Sequence, residues 1–242
     1  MGKLSKIVLF ILLLTLFLGA QWGTGWGWGQ YASADVKVFL EGPYSGGSMT
    51  TTLNSEGYIP LTQPYNTAPW NYPGTESVSG IPSGVTDWVL LELRSTTTTI
   101  KTRRAAFLKS DGQIVDLDGS SPVRFAARAN FYYVVVWHRN HLAIMSATAI
   151  LLKMVPSQYD FSTGQNKAYG TDPMKDLGSG VFGMIGGDAD LDSDIDQDDW
   201  DIILEDRNKE GYLYTDINLN GITTIADNNI CNDNFGKNTK VP

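Results

Sequence analysis

Cysteine and histidine are almost missing from this sequence: 242 residues contain one Cys, Cys231, and two His, His138 and His141. A single cysteine excludes a disulfide within the chain. Three such ligands in all are too few for a Cys/His zinc site. Positive charge is scarce as well, with 18 Lys and Arg against 26 Asp and Glu and a net charge of −8. A phosphate backbone needs a basic footprint, so nucleic acid is excluded as a partner. Beyond residue 18 no stretch is apolar enough to span a bilayer, which takes about 20 residues. No G-x-S-x-G, H-E-x-x-H or phosphate-loop motif occurs. Nothing in the pattern argues for catalysis, and the chain reads as a non-enzyme.

What is present begins with a targeting signal. Lys3 and Lys6 precede an apolar run over residues 7–18, interrupted only by Thr15. That is too short for a comfortable membrane span and fits the apolar centre of a secretory signal peptide. Ala32-Ser33-Ala34 is a small-x-small cleavage site, which sets the signal peptide at residues 1–34; cleavage after Ala20 is the alternative. Between the two sites Trp22, Trp26 and Trp28 would share one face of a strand, with Gly23, Gly25, Gly27 and Gly29 on the other. The same segment also reads as a spacer. Secretion to the extracellular space or cell surface is the expectation.

Residues 35–185 carry the period of strands. Val36, Val38 and Leu40 alternate with Lys37 and Glu41, and Val89, Leu91 and Leu93 with Trp88, Leu90, Glu92 and Arg94. Asp111-Gly112, between apolar runs at 105–109 and 113–117, is a hairpin signal. Residues 131–137 are apolar on both faces, as in a central strand. After Arg139-Asn140, residues 141–152 return as another long strand. Seven or eight strands over this length predict a mainly β fold, an immunoglobulin-like β-sandwich. Residues 157–186 turn polar and Gly-rich, and the end of that stretch, at 176–180, reads as the approach to a second domain.

The acidity lies in that second domain, residues 186–242, which holds 14 acidic and 4 basic residues. Asp188, Asp190, Asp192, Asp196 and Asp199 stand at positions 1, 3, 5, 9 and 12 of a 12-residue run. Twenty-eight residues later Asp216, Asn218, Asn220, Thr224 and Asp227 repeat the layout. Calcium takes six to eight oxygens, and a tight loop wraps it with side chains at these positions and a backbone carbonyl at position 7, here Asp194 or Ile222. Magnesium prefers fewer protein ligands and retained waters. The duplication continues past the loops, pairing Ile202 with Ile230, Ile203 with Cys231 and Lys209 with Lys237. Both segments resemble dockerin repeats, each a calcium loop followed by one helix, in a family that commonly has Asp at position 12. The resemblance implies a small α-helical module with two EF-hand-like loops, calcium as the bound ion and docking onto a cohesin-like domain. Gln197, Asp198, Ile225 and Ala226 occupy the late-loop positions that such docking uses. Position 6, normally Gly, is Gly221 in the second loop and Ser193 in the first.

Other candidates read more plainly. His138 and His141 bracket a hairpin turn and read as structural. Cys231, matching an Ile of the first repeat, reads as a small buried apolar residue. Glu92 beside Arg94 reads as a surface ion pair. The aromatic loop 65–73 would stack on sugar rings if exposed, and would cap the sandwich if packed. The expectation is therefore a secreted, calcium-binding structural protein that joins an extracellular filament or surface assembly, through self-assembly or a cohesin-like partner. A carbohydrate-binding module tethered by its dockerin is the alternative.

Overall fold

Runs rich in Val, Leu and aromatics become the strands of the molecule, because branched and ring side chains pack well on a pleated, half-buried surface. The computed structural model describes residues 31–242, which form one compact unit. The apolar run at 7–18, the Ala20 site and the Trp/Gly segment lie outside the described residues. The strands are β1 Tyr31–Ala34, β2 Val36–Lys37, β3 Tyr44–Ser45, β4 Ser48–Met49, β5 Val85–Arg94, β6 Ile100–Lys109 and β7 Gln113–Val115. They continue with β8 Val123–Arg128, β9 Asn130–His138, β10 His141–Met145, β11 Ile150–Leu152, β12 Tyr159–Asp160, β13 Lys175–Gly178 and β14 Val181–Gly183. Helices are few: α1 Thr52–Ser55, α2 Gln197–Glu205 and α3 Ile225–Asp233, with two short 3-10 turns. The fold is mainly β.

The main sheet runs β10–β9–β5–β6–β7–β2–β12, with β11 also paired to β9. The β6–β7 hairpin forms where expected: Gly112 turns at φ 87° and its N–H bonds to the Lys109 carbonyl at 2.9 Å. The strand expected over 141–152 is broken at Ser146, yet both halves pair with β9 along its length. Ser146 Oγ accepts from Val134 N at 3.0 Å and donates to Thr148 O at 2.9 Å, so its hydroxyl is satisfied across the interruption. A short pair, β1 with β8, forms a separate two-stranded sheet whose β8 lies beside β6. Strand β1 is held on its other side by Ser33 N to Lys153 O at 3.3 Å. Ala32, Ser33 and Ala34 are all buried there.

Two expectations change. All ten residues of β5 are buried, so its polar face does not meet water. The strand sits between β6 and β9, and α1 and the loop at 58–72 cover its second face; Tyr65 Oη donates to Trp88 O at 2.9 Å. Glu92 is therefore not part of a surface pair. It is fully buried between Arg94 Nε and Arg103 Nε, each at 2.5 Å, because Arg103 is its direct cross-strand partner. The stretch 157–186 is also structured. β12 adds to β2, the β13–β14 hairpin turns at Ser179-Gly180, and Phe161, Met174, Met184 and Ile185 are buried. No helix among the described residues is long and apolar enough to cross a membrane.

Candidate metal centre

Each acidic run folds into a loop that runs into a helix, and the helix start explains the geometry. In the first loop Asp196 caps α2 and Asp199 closes a capping box, its Oδ2 accepting from Asp196 N at 2.8 Å. Asp199 Oδ1 reaches back across the loop to Ala189 N at 2.7 Å and Asp190 N at 3.1 Å. Asp190 Oδ1 accepts from Asp192 N and Asp192 Oδ1 from Asp194 N, a chain of Asx turns that bends the backbone tightly. Leu191 and Ser193 complete the bend at φ 72° and 81°.

The second loop repeats this bond for bond. Thr224 caps α3; Asp227 Oδ2 accepts from Thr224 N at 2.8 Å, and Oδ1 from Ile217 N at 2.8 Å and Asn218 N at 3.0 Å. Asn218 Oδ1 holds Asn220 N, and Asn220 Oδ1 holds Ile222 N. Leu219 and Gly221 take φ 55° and 89° at the matching positions. The two units also exchange partners. Ile195 of the first loop bonds both ways with Gly236 and Lys237 after α3, and Thr223 of the second with Asn208 and Lys209 after α2. Position 7 joins the same ladders as bridges Asp194–Asn238 and Ile222–Glu210. Helices α2 and α3 pack together, and Asn228 Nδ2 donates to Trp200 O at 3.0 Å. The duplicated sequence thus folds as a pseudo-twofold pair.

In the first loop the carboxylates gather in two groups of three. Carboxylates of Asp188, Asp190 and Asp192 lie within 4.8 Å of one another, as do those of Asp194, Asp196 and Asp199. Asp188, Asp199, Asp216 and Asp227 are buried. Burial first, and then the Asp199 charge, push the Asp188 carboxyl up to about 8. Burial also lifts Asp199 to about 6 against three backbone N–H donors. Asp216 rises to about 6 through burial, opposed by the Arg139 charge and reinforced by Asp227. Among the described residues no Lys, Arg or His forms an ion pair with any of these loop carboxylates. Buried carboxylates that raise one another's proton affinity, within an all-oxygen donor set, suit a hard divalent cation.

The module is seated on the sheet through contacts that pattern reading missed. Its apolar core, Ala189, Ile195, Ile203, Ile217 and Cys231, continues into Leu142 and Ile185. Cys231 is buried as expected. Gly42 lies so close that a Cβ there would strike the Ile217 carbonyl. The β9–β10 turn supplies the polar part of the seat. Asn140 Nδ2 donates to Tyr214 O at 3.0 Å and to Asp216 O at 2.8 Å, and Arg139 donates to Leu213 O. Arg139 Nε also pairs with Asp87 Oδ2 at 2.9 Å while its guanidinium lies 4.2 Å over the Tyr212 ring. Burial works against the Asp87 charge, yet Arg139 and the His138 hydrogen bond hold its carboxyl down at about 2. His138 and His141 meet Nδ1 to Nδ1 at 3.1 Å inside this network, and burial lowers the proton affinity of both. The signal in the sequence was Arg139-Asn140 in a turn, where two large polar side chains next to apolar strands needed partners.

The aromatic loop takes the packed arrangement. Tyr65, Trp70 and Tyr72 are buried, with Tyr65 and Trp70 edge to face at 4.8 Å. The late-loop residues Gln197, Asp198, Ile225 and Ala226 are exposed, alongside Leu204 and Phe235.

No family model and no curated protein matches the chain. Solved structures with remote similarity include two interface mutants of a type II cohesin–X–dockerin complex from Acetivibrio cellulolyticus. The N-terminal interface mutant has a TM-score of 0.43 at 15% identity, covering 85% of this chain and 97% of its own. The C-terminal interface mutant has a TM-score of 0.42 at 16% identity with the same coverage. Similarity at this level carries no partner or activity across.

Proposed function

We propose that this chain is an exported, non-catalytic structural protein whose dockerin-like module binds two calcium ions and joins protein partners in an extracellular or cell-surface assembly. The observation that carries the reading is the duplication of one bond pattern around Asp199 and Asp227. Each closing carboxylate holds its own loop open as a cup of oxygens, with a second buried carboxylate, Asp188 or Asp216, at the opposite end. Asp190, Asp192, Asp196, Asn218, Asn220 and Thr224, with the position-7 carbonyls of Asp194 and Ile222, complete the two donor sets. Calcium would supply the charge that these buried acids lack and fix the loop that starts each helix. Exposed Gln197, Asp198, Ile225 and Ala226 give a partner, a second copy or a cohesin-like domain, its point of contact.

Export belongs to the same proposal, with the cut placed after Ala20 and not after Ala34. Cleavage after Ala34 would remove β1, whose buried residues fill the space between β8 and Lys153. Calcium titration of the purified chain by calorimetry tests the core of the reading, with two sites expected; no heat of binding and no competition by a chelator would refute it.

A further inference from the structure

Three residues from distant parts of the chain meet at the seam between sheet and module. Glu41 follows Leu40, which bridges to Met184; Lys175 opens β13; Asn234 ends α3. Lys175 Nζ lies 2.7 Å from Asn234 Oδ1 and 2.7 Å from Glu41 Oε1. Asn234 Nδ2 donates to Glu41 Oε2 at 2.6 Å and to the Gly186 carbonyl at 2.8 Å. This arrangement fixes the orientation of the amide. Its NH2 faces two acceptors and its oxygen faces a donor, and a flip would set like against like at all three contacts. Asn234 is 1% exposed, and the Glu41 side chain 13%. One carboxylate therefore touches both an amine and the leaving nitrogen of a carboxamide, and the amine touches that carboxamide's oxygen.

We propose that Lys175 and Asn234 join in an intramolecular isopeptide bond, with Glu41 as the proton carrier. Glu41 takes a proton from the Lys175 ammonium and leaves a neutral amine. The amine attacks Asn234 Cγ, forming the Nζ–Cγ bond as negative charge gathers on Oδ1. Collapse of that intermediate breaks the Cγ–Nδ2 bond. Nζ gives up a second proton, and Glu41 passes both protons to Nδ2, which departs as ammonium. An ammonium enters and an ammonium leaves, Glu41 ends as it began, and no oxidant or cofactor is consumed. Carboxamides are inert toward free amines in water; here the fold replaces the encounter by holding the groups in contact, and that is the main source of acceleration. The bond would tie β13 to the end of α3 across a sequence separation of 59, enclosing both loops. It would clamp the module to the sheet whether or not metal is bound, so the proposal does not depend on the calcium reading.

Mass spectrometry of the purified full chain, unfolded and then digested, decides the matter. The expected result is loss of one ammonia from the sequence mass, together with a branched peptide joining the Lys175 segment to the Asn234 segment. Lys175→Arg keeps the charge beside Glu41, and Glu41→Gln keeps a hydrogen bond to Asn234; both are expected to regain the full mass and give linear peptides. Asn220-Gly221 or an N-terminal glutamine can also lose ammonia by cyclising, and that loss would persist in Lys175→Arg without a branched peptide. A full-mass wild type, or ammonia loss unaffected by Lys175→Arg, overturns the proposal. A branched peptide that survives in Glu41→Gln overturns the role given to Glu41.

Discussion

Position 6 of the two loops holds different residues in one backbone conformation, Ser193 at φ 81° and Gly221 at φ 89°. A side chain in this left-handed region costs about 1–2 kcal/mol, whereas glycine adopts it freely. Ser193→Gly relieves that cost but gives the unfolded chain about 0.4–1 kcal/mol of extra freedom. The net gain is about 0–1.6 kcal/mol, or up to roughly 6 °C in Tm for a unit of this size. The reverse change, Gly221→Ser, adds the conformational cost and a collision as well. A Cβ there would sit 2.9 Å from Tyr58 Cε2 and 3.2 Å from Cδ2. Overpacking of this kind costs about 1–3 kcal/mol, so after the unfolded-chain offset the total loss is about 1–4.5 kcal/mol. Scanning calorimetry of both variants in saturating calcium is the assay. The reasoning is refuted if Ser193→Gly lowers the melting temperature, or if Gly221→Ser leaves it unchanged.

Three further outcomes are expected. Asp227→Ala should abolish calcium binding at its loop, which keeps only the Asp216 carboxylate beside the opposing charge of Arg139, while Asp199→Ala should weaken its own site but leave residual affinity from the remaining acids; equal losses by titration would discard charge count as the criterion. Burial, then the charges of His138 and Arg139, hold His141 well below its usual 6.5, so the unfolded chain takes up a proton that the folded chain refuses and stability falls as pH drops below 6.5. Melting temperatures from pH 7.5 to 5.5 should therefore fall less steeply in His141→Gln, and an unchanged slope would remove His141 from the acid response. N-terminal sequencing of the exported protein should find a start upstream of Tyr31; a start at Asp35 would show that β1 is dispensable.

Short-range rules made the loops legible. Each 12-residue run of oxygens, repeated after 28 residues, reads as a loop followed by one helix, and α2 and α3 begin within the two runs at Gln197 and Ile225. The Asp111-Gly112 hairpin was readable for the same reason, since the turn chemistry is contained within it. Partners far apart in the chain were not. Alternation marked Glu92 as a solvent-facing residue, because nothing local reveals that Arg103 stands opposite or that the loop at 58–72 covers that face. Polarity and glycine at 176–180 read as the approach to a second domain; those residues form the β13–β14 hairpin between buried Met174 and Met184, whose wide spacing gives no local period. Ala32-Ser33-Ala34 satisfies a cleavage site and a buried strand equally well, and its pairing with β8 is a long-range contact that the linear pattern does not show. The Glu41–Lys175–Asn234 cluster left no trace in the linear pattern.

Because Leu142 of the sheet and Ile185, which follows β14, share a core with the module, the loops and the sheet should unfold together. Calorimetry of the whole chain with calcium and with chelator is therefore the most direct test. Binding is worth about 2.7 kcal/mol per site at a hundredfold excess over Kd. The account predicts one cooperative transition that moves to higher temperature when calcium is present. Identical melting profiles with calcium and with chelator would contradict it.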